Sequence, residues 1–230
     1  MAVESPPFET LSARIDTDVD ASGRVGRLTL ERPDKLNPLS STCLRELAEA
    51  AAWFDTTAAS VVVVSGRGRA FSAGFDLDEF SGGATTTPVR EQADLGRLMA
   101  EAMERMRALT IARISGPCVG GGLVLAATCD LRVAAADTTF VIPEVDLGIP
   151  LAWGGIPRLV RELPPAIVRE LVLTCRPFDA TEAARLGFVN RVVEPRELDA
   201  VVDDLARSLA LKAPSVVRAT KRQVNEAVEA

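Results

Sequence analysis

The residues able to do chemistry in this chain are defined first by two absences. Among 230 residues there is no His and no Tyr. This excludes Ser-His-Asp and Cys-His mechanisms, an imidazole general base, His-ligated metals and a phenolic acid or oxyanion donor. Catalysis must come from carboxylates, Lys, Arg, Ser/Thr, Cys or backbone N–H groups. Two glycine-bearing junctions offer the last of these, Ser72-Ala73-Gly74-Phe75-Asp76 and Gly120-Gly121-Gly122-Leu123. Glycine lets a backbone approach another group closely, and a helix start leaves free N–H groups at a positive dipole end, which suits an anion or a developing oxyanion. A plain tight turn or a close helix–strand crossing explains either junction equally well. Neither is a nucleotide loop: Gly66-Arg67-Gly68 has Phe71 where a dinucleotide fingerprint needs its third Gly, and Gly116–Leu123 lacks the Lys-Ser/Thr of a phosphate loop.

The elements that must position these junctions follow from periodicity. Leu11–Asp18 and Arg24–Leu30 read as a strand hairpin around the turn signal at 20–23, and Ser40 or Ser41 can cap a helix carrying Leu44, Leu47, Ala51 and Phe54. Ser60–Ser65, with four consecutive valines, reads as a strand buried on both faces. A small-residue loop at Ser81–Thr87, expected to be mobile, precedes a long helix over about Val89–Leu109 whose Met residues suit gap filling in the core. Strands are expected at Ile111–Ser115, Asp130–Ala134 and Thr138–Ile142, and a helix at Leu123–Thr128. Pro143–Gly155 reads as a loop, with helices at about Pro164–Thr174, Thr181–Leu186, Leu198–Lys212 and Pro214–Val228. Alternating strands and helices predict an α/β fold of stacked ββα-like turns.

The net charge is −6, so a nucleic-acid partner is disfavoured. No two of Cys43, Cys118, Cys129 and Cys175 stand in C-x-x-C spacing, which argues against a zinc or redox motif and for buried, reduced thiols. The longest nearly apolar run, Pro117 to Cys129, is too short to span a bilayer, and the first ten residues lack a basic and an apolar leader region. A soluble cytoplasmic protein with no membrane partner is expected.

Taken in order, the motifs resemble those of the crotonase (enoyl-CoA hydratase/isomerase) family. They are Arg32-Pro33-Asp34-Lys35-Leu36-Asn37-Pro38-Leu39, the Gly66–Leu77 segment, Gly116–Leu123, Cys129-Asp130-Leu131-Arg132, Phe140-Val141-Ile142-Pro143-Glu144, Leu147-Gly148-Ile149-Pro150 with Gly154-Gly155, and Ala183–Val193. The likeness runs from about residue 10 to the end. It implies a crotonase-like spiral of ββα units over 1–195 holding an acyl-CoA site, and a helical region over 196–230 shorter than usual for the family. It also implies that the Phe75 and Gly121 N–H groups grip the thioester oxygen and that Glu144 moves protons on the substrate chain. Lys35 and Leu36 would line the nucleotide and pantetheine path; Ala73, Asp76, Leu77, Gly120 and Pro143 would flank the pocket, and Trp153 would shape its acyl end. Lys35, Arg67 and Arg69 suit phosphates or an ordinary solvated surface equally. Coenzyme A would enter with the substrate, so neither a separate cofactor nor a metal is expected, and a homotrimer or dimer of trimers is implied.

The departures are informative. The second glutamate by which hydratases of the family activate water falls at Val124, and a further acidic position of dienoyl-CoA isomerases falls at Ala152. Asp146 lies nearby in a register that points it away from Glu144. A lone carboxylate favours isomerase-type proton transfer between two carbons over hydration. A non-catalytic acyl-CoA-binding homologue is the alternative, and a related lyase reaction is a weaker one.

Overall fold

The computed structural model describes residues 3–16, 24–81 and 89–229. The expected turn at 20–23 and nearly all of the small-residue loop lie outside them.

A seven-stranded sheet organises the chain. Its strands are β1 (Val3–Glu4), β2 (Leu11–Asp16), β3 (Arg24–Leu30), β4 (Ala59–Gly66), β5 (Leu109–Ile114), β7 (Leu131–Ala135) and β10 (Arg191–Val193), in that spatial order. β2 and β3 pair antiparallel with Leu11 opposite Leu30, as the hairpin reading predicts, and from β3 onward every pairing is parallel. Parallel pairing needs helical crossovers that cover both faces. The valines show the consequence. Val62 and Val64 enter the larger core with Leu44, Leu47 and Phe54 of α1 (Ser41–Thr56), while Val61 and Val63 point into a second core with Leu198, Val202 and Ala206 of α8 (Leu198–Ala210). Ser40 caps α1, its hydroxyl accepting from the Cys43 N–H at 3.2 Å.

A smaller sheet stands beside the first. β6 (Pro117–Val119) pairs parallel with β8 (Thr139–Val141), which pairs antiparallel with β9 (Phe178–Asp179). Between β6 and β7 lies α4 (Gly121–Ala127), every residue of which is buried. The other helices are α2 (Leu77–Ser81), α3 (Val89–Arg105), α5 (Gly155–Glu162), α6 (Pro165–Thr174), α7 (Ala180–Leu186) and α9 (Pro214–Glu229).

One reading needs correction, and several elements fell outside the expected set. The long helix stops at Arg105 rather than Leu109: the Arg107 N–H is taken by the Asp55 carboxylate at 2.7 Å, and Leu109 instead opens β5 opposite Val61. The Pro143–Gly155 loop is present as expected, and α5 follows it in a stretch for which no element was expected. Strands β1, β6, β9 and β10 were absent from the expected elements, being too short to show a two-residue alternation. Met99, Met103 and Met106 pack into the larger core as expected. All four cysteines are buried and free.

Candidate active site

The two glycine junctions meet. The Leu39 N–H donates to the Gly74 carbonyl at 2.7 Å and the Asp76 N–H to the Leu39 carbonyl at 3.3 Å. These bonds straddle Phe75 and turn its own N–H to the opposite side of the strand. Ser72 locks the turn from within, its hydroxyl donating to the Asn37 carbonyl at 2.8 Å and accepting from the Gly74 N–H at 3.1 Å. Gly74 has φ +85° and packs directly on the second junction. A Cβ there would lie 2.6 Å from the Val119 carbonyl oxygen and 3.3 Å from the Gly121 nitrogen. Gly121 opens α4, where the first N–H groups of a helix have no partner within it. Two backbone donors from separate strand–helix units are thus brought side by side.

Glu144 arrives from the turn after β8. Its backbone carbonyl accepts from the Leu147 N–H at 3.1 Å and the Ile149 N–H at 3.0 Å, which fixes the turn. Its side chain lies against the start of α4: a Cβ on Gly120 would sit 2.4 Å from Oε1. Oε2 is buried and has no hydrogen-bond partner. Burial pushes the Glu144 carboxyl above the ordinary glutamate value, with its own backbone N–H opposing the shift. A carboxylate with one oxygen sealed and unused is costly in isolation and is the state a general base needs.

Phe75, Gly121, Val124, Glu144, Leu151 and Trp153 line one pocket of about 190 Å³. The Val124 side chain supplies an apolar wall, and Ala152 also faces it. Glu144 is its one carboxylate among the described residues; Asp146 is exposed. Trp153 is buried and stands edge-on to Phe75, with ring centroids 6.2 Å apart.

The remaining expected contacts lie outside this lining. Lys35 is exposed and pairs with Asp78 at 2.6 Å, and Arg67 pairs with Glu31 at 2.8 Å. Asp76 is buried, accepts from Arg32 at 2.7 Å and takes the Asp78 N–H through its other oxygen, so it holds the start of α2. Leu77 is exposed. Leu36, at φ +63°, accepts the Ala73 N–H at 2.8 Å, tying the two motifs together. Gly120 and Pro143 flank the pocket through Glu144: the Gly120 N–H donates to Val141, and Pro143 begins the turn that carries the carboxylate.

Sequence reasoning missed the residues that brace the site. Asn37 is buried, takes the Arg32 N–H and donates to the carbonyls of Arg67 and Ala70, stapling the loop after β3 to the loop after β4. Arg132 is buried and reaches Phe188, Cys129 and Glu162, joining β7 to α5. Gly96, isolated in the amphipathic pattern of α3, was a usable signal of close packing. Burial pushes the Cys43 thiol up to about 11 and Cys129 to about 12, so both are neutral at physiological pH.

Comparison with known proteins identifies the family and the fold. A model of the enoyl-CoA hydratase/isomerase family matches residues 20–230. The chain belongs to that family. It is 32% identical over 213 residues to the short-chain-enoyl-CoA hydratase of Clostridium acetobutylicum, covering 92% of this chain and 81% of that protein. To the peroxisomal Delta(3,5)-Delta(2,4)-dienoyl-CoA isomerase of Arabidopsis thaliana it is 34% identical over 234 residues, covering 96% and 82%. The crystal structure of a putative enoyl-CoA hydratase from Thermobifida fusca in complex with acetoacetyl-CoA superposes with a TM-score of 0.81 at 31% identity, covering 95% of this chain and 87% of that one. The spiral expected of an enoyl-CoA hydratase/isomerase is therefore the fold present. Among the described residues of this family member, no group of three or more His, Cys, Asp or Glu side chains could hold a metal ion, and no helix is long and apolar enough to cross a membrane.

Proposed function

We propose that this enoyl-CoA hydratase/isomerase family member moves a proton along the acyl chain of a coenzyme A thioester, converting 3-enoyl-CoA to 2-enoyl-CoA. The N–H groups of Phe75 and Gly121 hold the thioester oxygen. Ionised Glu144 takes a proton from C2, and the C–H electron pair shifts to form a dienolate whose charge rests on that oxygen. The protonated Glu144 then returns a proton to C4 as the C2–C3 double bond forms and the C3–C4 double bond is lost. One such oxyanion donor is worth about 10²–10³ in rate, and positioned proton transfer about 10²–10⁴.

The single observation carrying the choice of reaction is the pocket's one carboxylate, Glu144, with an unpartnered buried oxygen and Val124 and Ala152 apolar around it. Hydration requires water to be held and deprotonated while carbon is protonated, and these neighbours offer water nothing. The relatives named as hydratases support the rival reaction, so both must be assayed. With purified protein, 3-hexenoyl-CoA is expected to turn over much faster to 2-hexenoyl-CoA than 2-hexenoyl-CoA does to the 3-hydroxy product, and Glu144→Gln is expected to slow the isomerisation by about 10²–10⁴. Faster hydration than isomerisation would overturn the assignment. Tight thioester binding without turnover of either substrate would favour a binding protein instead.

A further inference from the structure

Trp153 has a backbone that tryptophan adopts only under constraint. Its φ is +58°, that of Gly154 is +68°, and the residue is buried. A bulky side chain in the left-handed region is disfavoured and persists where its surroundings over-determine it. Two features do so here. The indole is seated between two glycines: a Cβ on Gly96 of α3 would lie 2.0 Å from its Cδ1, and a Cβ on Gly121 would lie 2.2 Å from its Cζ3. The backbone is clamped as well. Arg158 Nη1 donates to the Gly154 carbonyl at 3.1 Å and the Trp153 carbonyl at 3.3 Å, while Nη2 reaches Glu104 Oε2 at 2.6 Å. Arg161 bonds the other oxygen of Glu104. Arg158 Nε is buried without a partner, so the side chain is held there by what its terminal nitrogens do. Since α3 carries both Gly96 and Glu104, one helix provides the socket for the ring and the anchor for the clamp.

We propose that the Glu104–Arg158 pair fixes Trp153 as the end wall of the acyl pocket and thereby restricts the protein to short acyl chains. The inference rests on reading this pocket as an acyl-thioester site. Its volume of about 190 Å³ is below the ~300–1,000 Å³ usual for small-molecule sites. A pocket this small suits a short acyl chain. A longer chain needs the indole to leave its glycine socket, which the clamp opposes. Glu104 and Arg158 are positioning residues; Trp153 is the specificity-determining one.

The test is calorimetric binding of butyryl-CoA and decanoyl-CoA, which does not depend on turnover. An open apolar pocket binds the longer chain more tightly, because each extra methylene leaves water. The wild type is expected to reverse that order, holding butyryl-CoA at least about tenfold more tightly. Trp153→Ala is expected to restore it, and Trp153→Phe, which retains an aromatic ring, to move the ratio part of the way. Glu104→Gln and Arg158→Lys should shift the ratio of the two affinities toward decanoyl-CoA. If the pair serves stability alone, both thioesters weaken together, the ratio stays fixed, and its positioning role is overturned. Tighter decanoyl-CoA binding by the wild type overturns the wall and leaves the proton-transfer reading standing. No binding of either thioester by the wild type overturns the acyl-thioester reading itself, and the inference with it.

Discussion

Two glutamates in this molecule, one buried and one half-buried with a sealed oxygen, have opposite surroundings. Glu46, in the middle of α1, accepts hydrogen bonds from the Glu9 N–H at 2.6 Å, the Thr10 N–H at 2.9 Å and the Thr10 hydroxyl. It fastens the segment before β2 to the helix, and its oxygens are occupied. Glu144 is half-buried, and its Oε2, sealed from water, has no partner among the described residues. Burial alone therefore does not mark a reactive carboxylate. A sealed oxygen with vacant acceptor capacity, facing a pocket at the first turn of α4, is the arrangement that the proposed base role uses.

Exchanging each glutamate for glutamine sets the comparison its hardest test. Glu144→Gln is expected to lower kcat for the isomerisation by about 10²–10⁴, read in a steady-state assay, with the fold intact by circular dichroism. Next in size is Gly121→Ala. Its Cβ would lie 2.2 Å from Trp153, so the donor or the ring must move, and a loss of about 10²–10³ in kcat is expected. Glu46→Gln should do the reverse of Glu144→Gln, costing about 1–3 kcal/mol in denaturant unfolding while kcat stays near that of the wild type.

The smallest expected effect is in the pH dependence of stability. The Glu144 carboxyl is held above its ordinary value by burial, so the folded chain binds that proton more tightly than the unfolded chain does. The protonated form is easily accommodated below about pH 4, and the penalty of the buried charge grows as pH rises through the folded value. Relative to the wild type, Glu144→Gln should therefore gain a little thermal stability at neutral pH, a gain that fades in acid. For the same reason wild-type kcat should rise with pH through an inflection above the usual glutamate value.

What could be read from the sequence was whatever leaves a local mark. Four valines announced the strand buried on both faces, Ser40 the start of α1, and the two glycine junctions the backbone donors. Three-residue strands such as β6 and β10 leave no such mark, because their pairing is decided by distant partners. The brace of the site was equally hidden. Nothing adjacent to Arg158 in sequence indicates that it meets Glu104 across 54 positions, or that Lys35 meets Asp78. Gly96 is the instructive middle case, a glycine inside a helix whose purpose is the ring of a tryptophan far along the chain.

The central claim is that one carboxylate carries a proton between two carbons. It is tested most directly by incubating 3-hexenoyl-CoA deuterated at C2 with the protein and locating the label by NMR. The account predicts 2-hexenoyl-CoA bearing deuterium at C4 from the wild type, formed about 10²–10⁴-fold more slowly by Glu144→Gln. A 3-hydroxyacyl-CoA as the main product, or an undiminished rate in the variant, would contradict it.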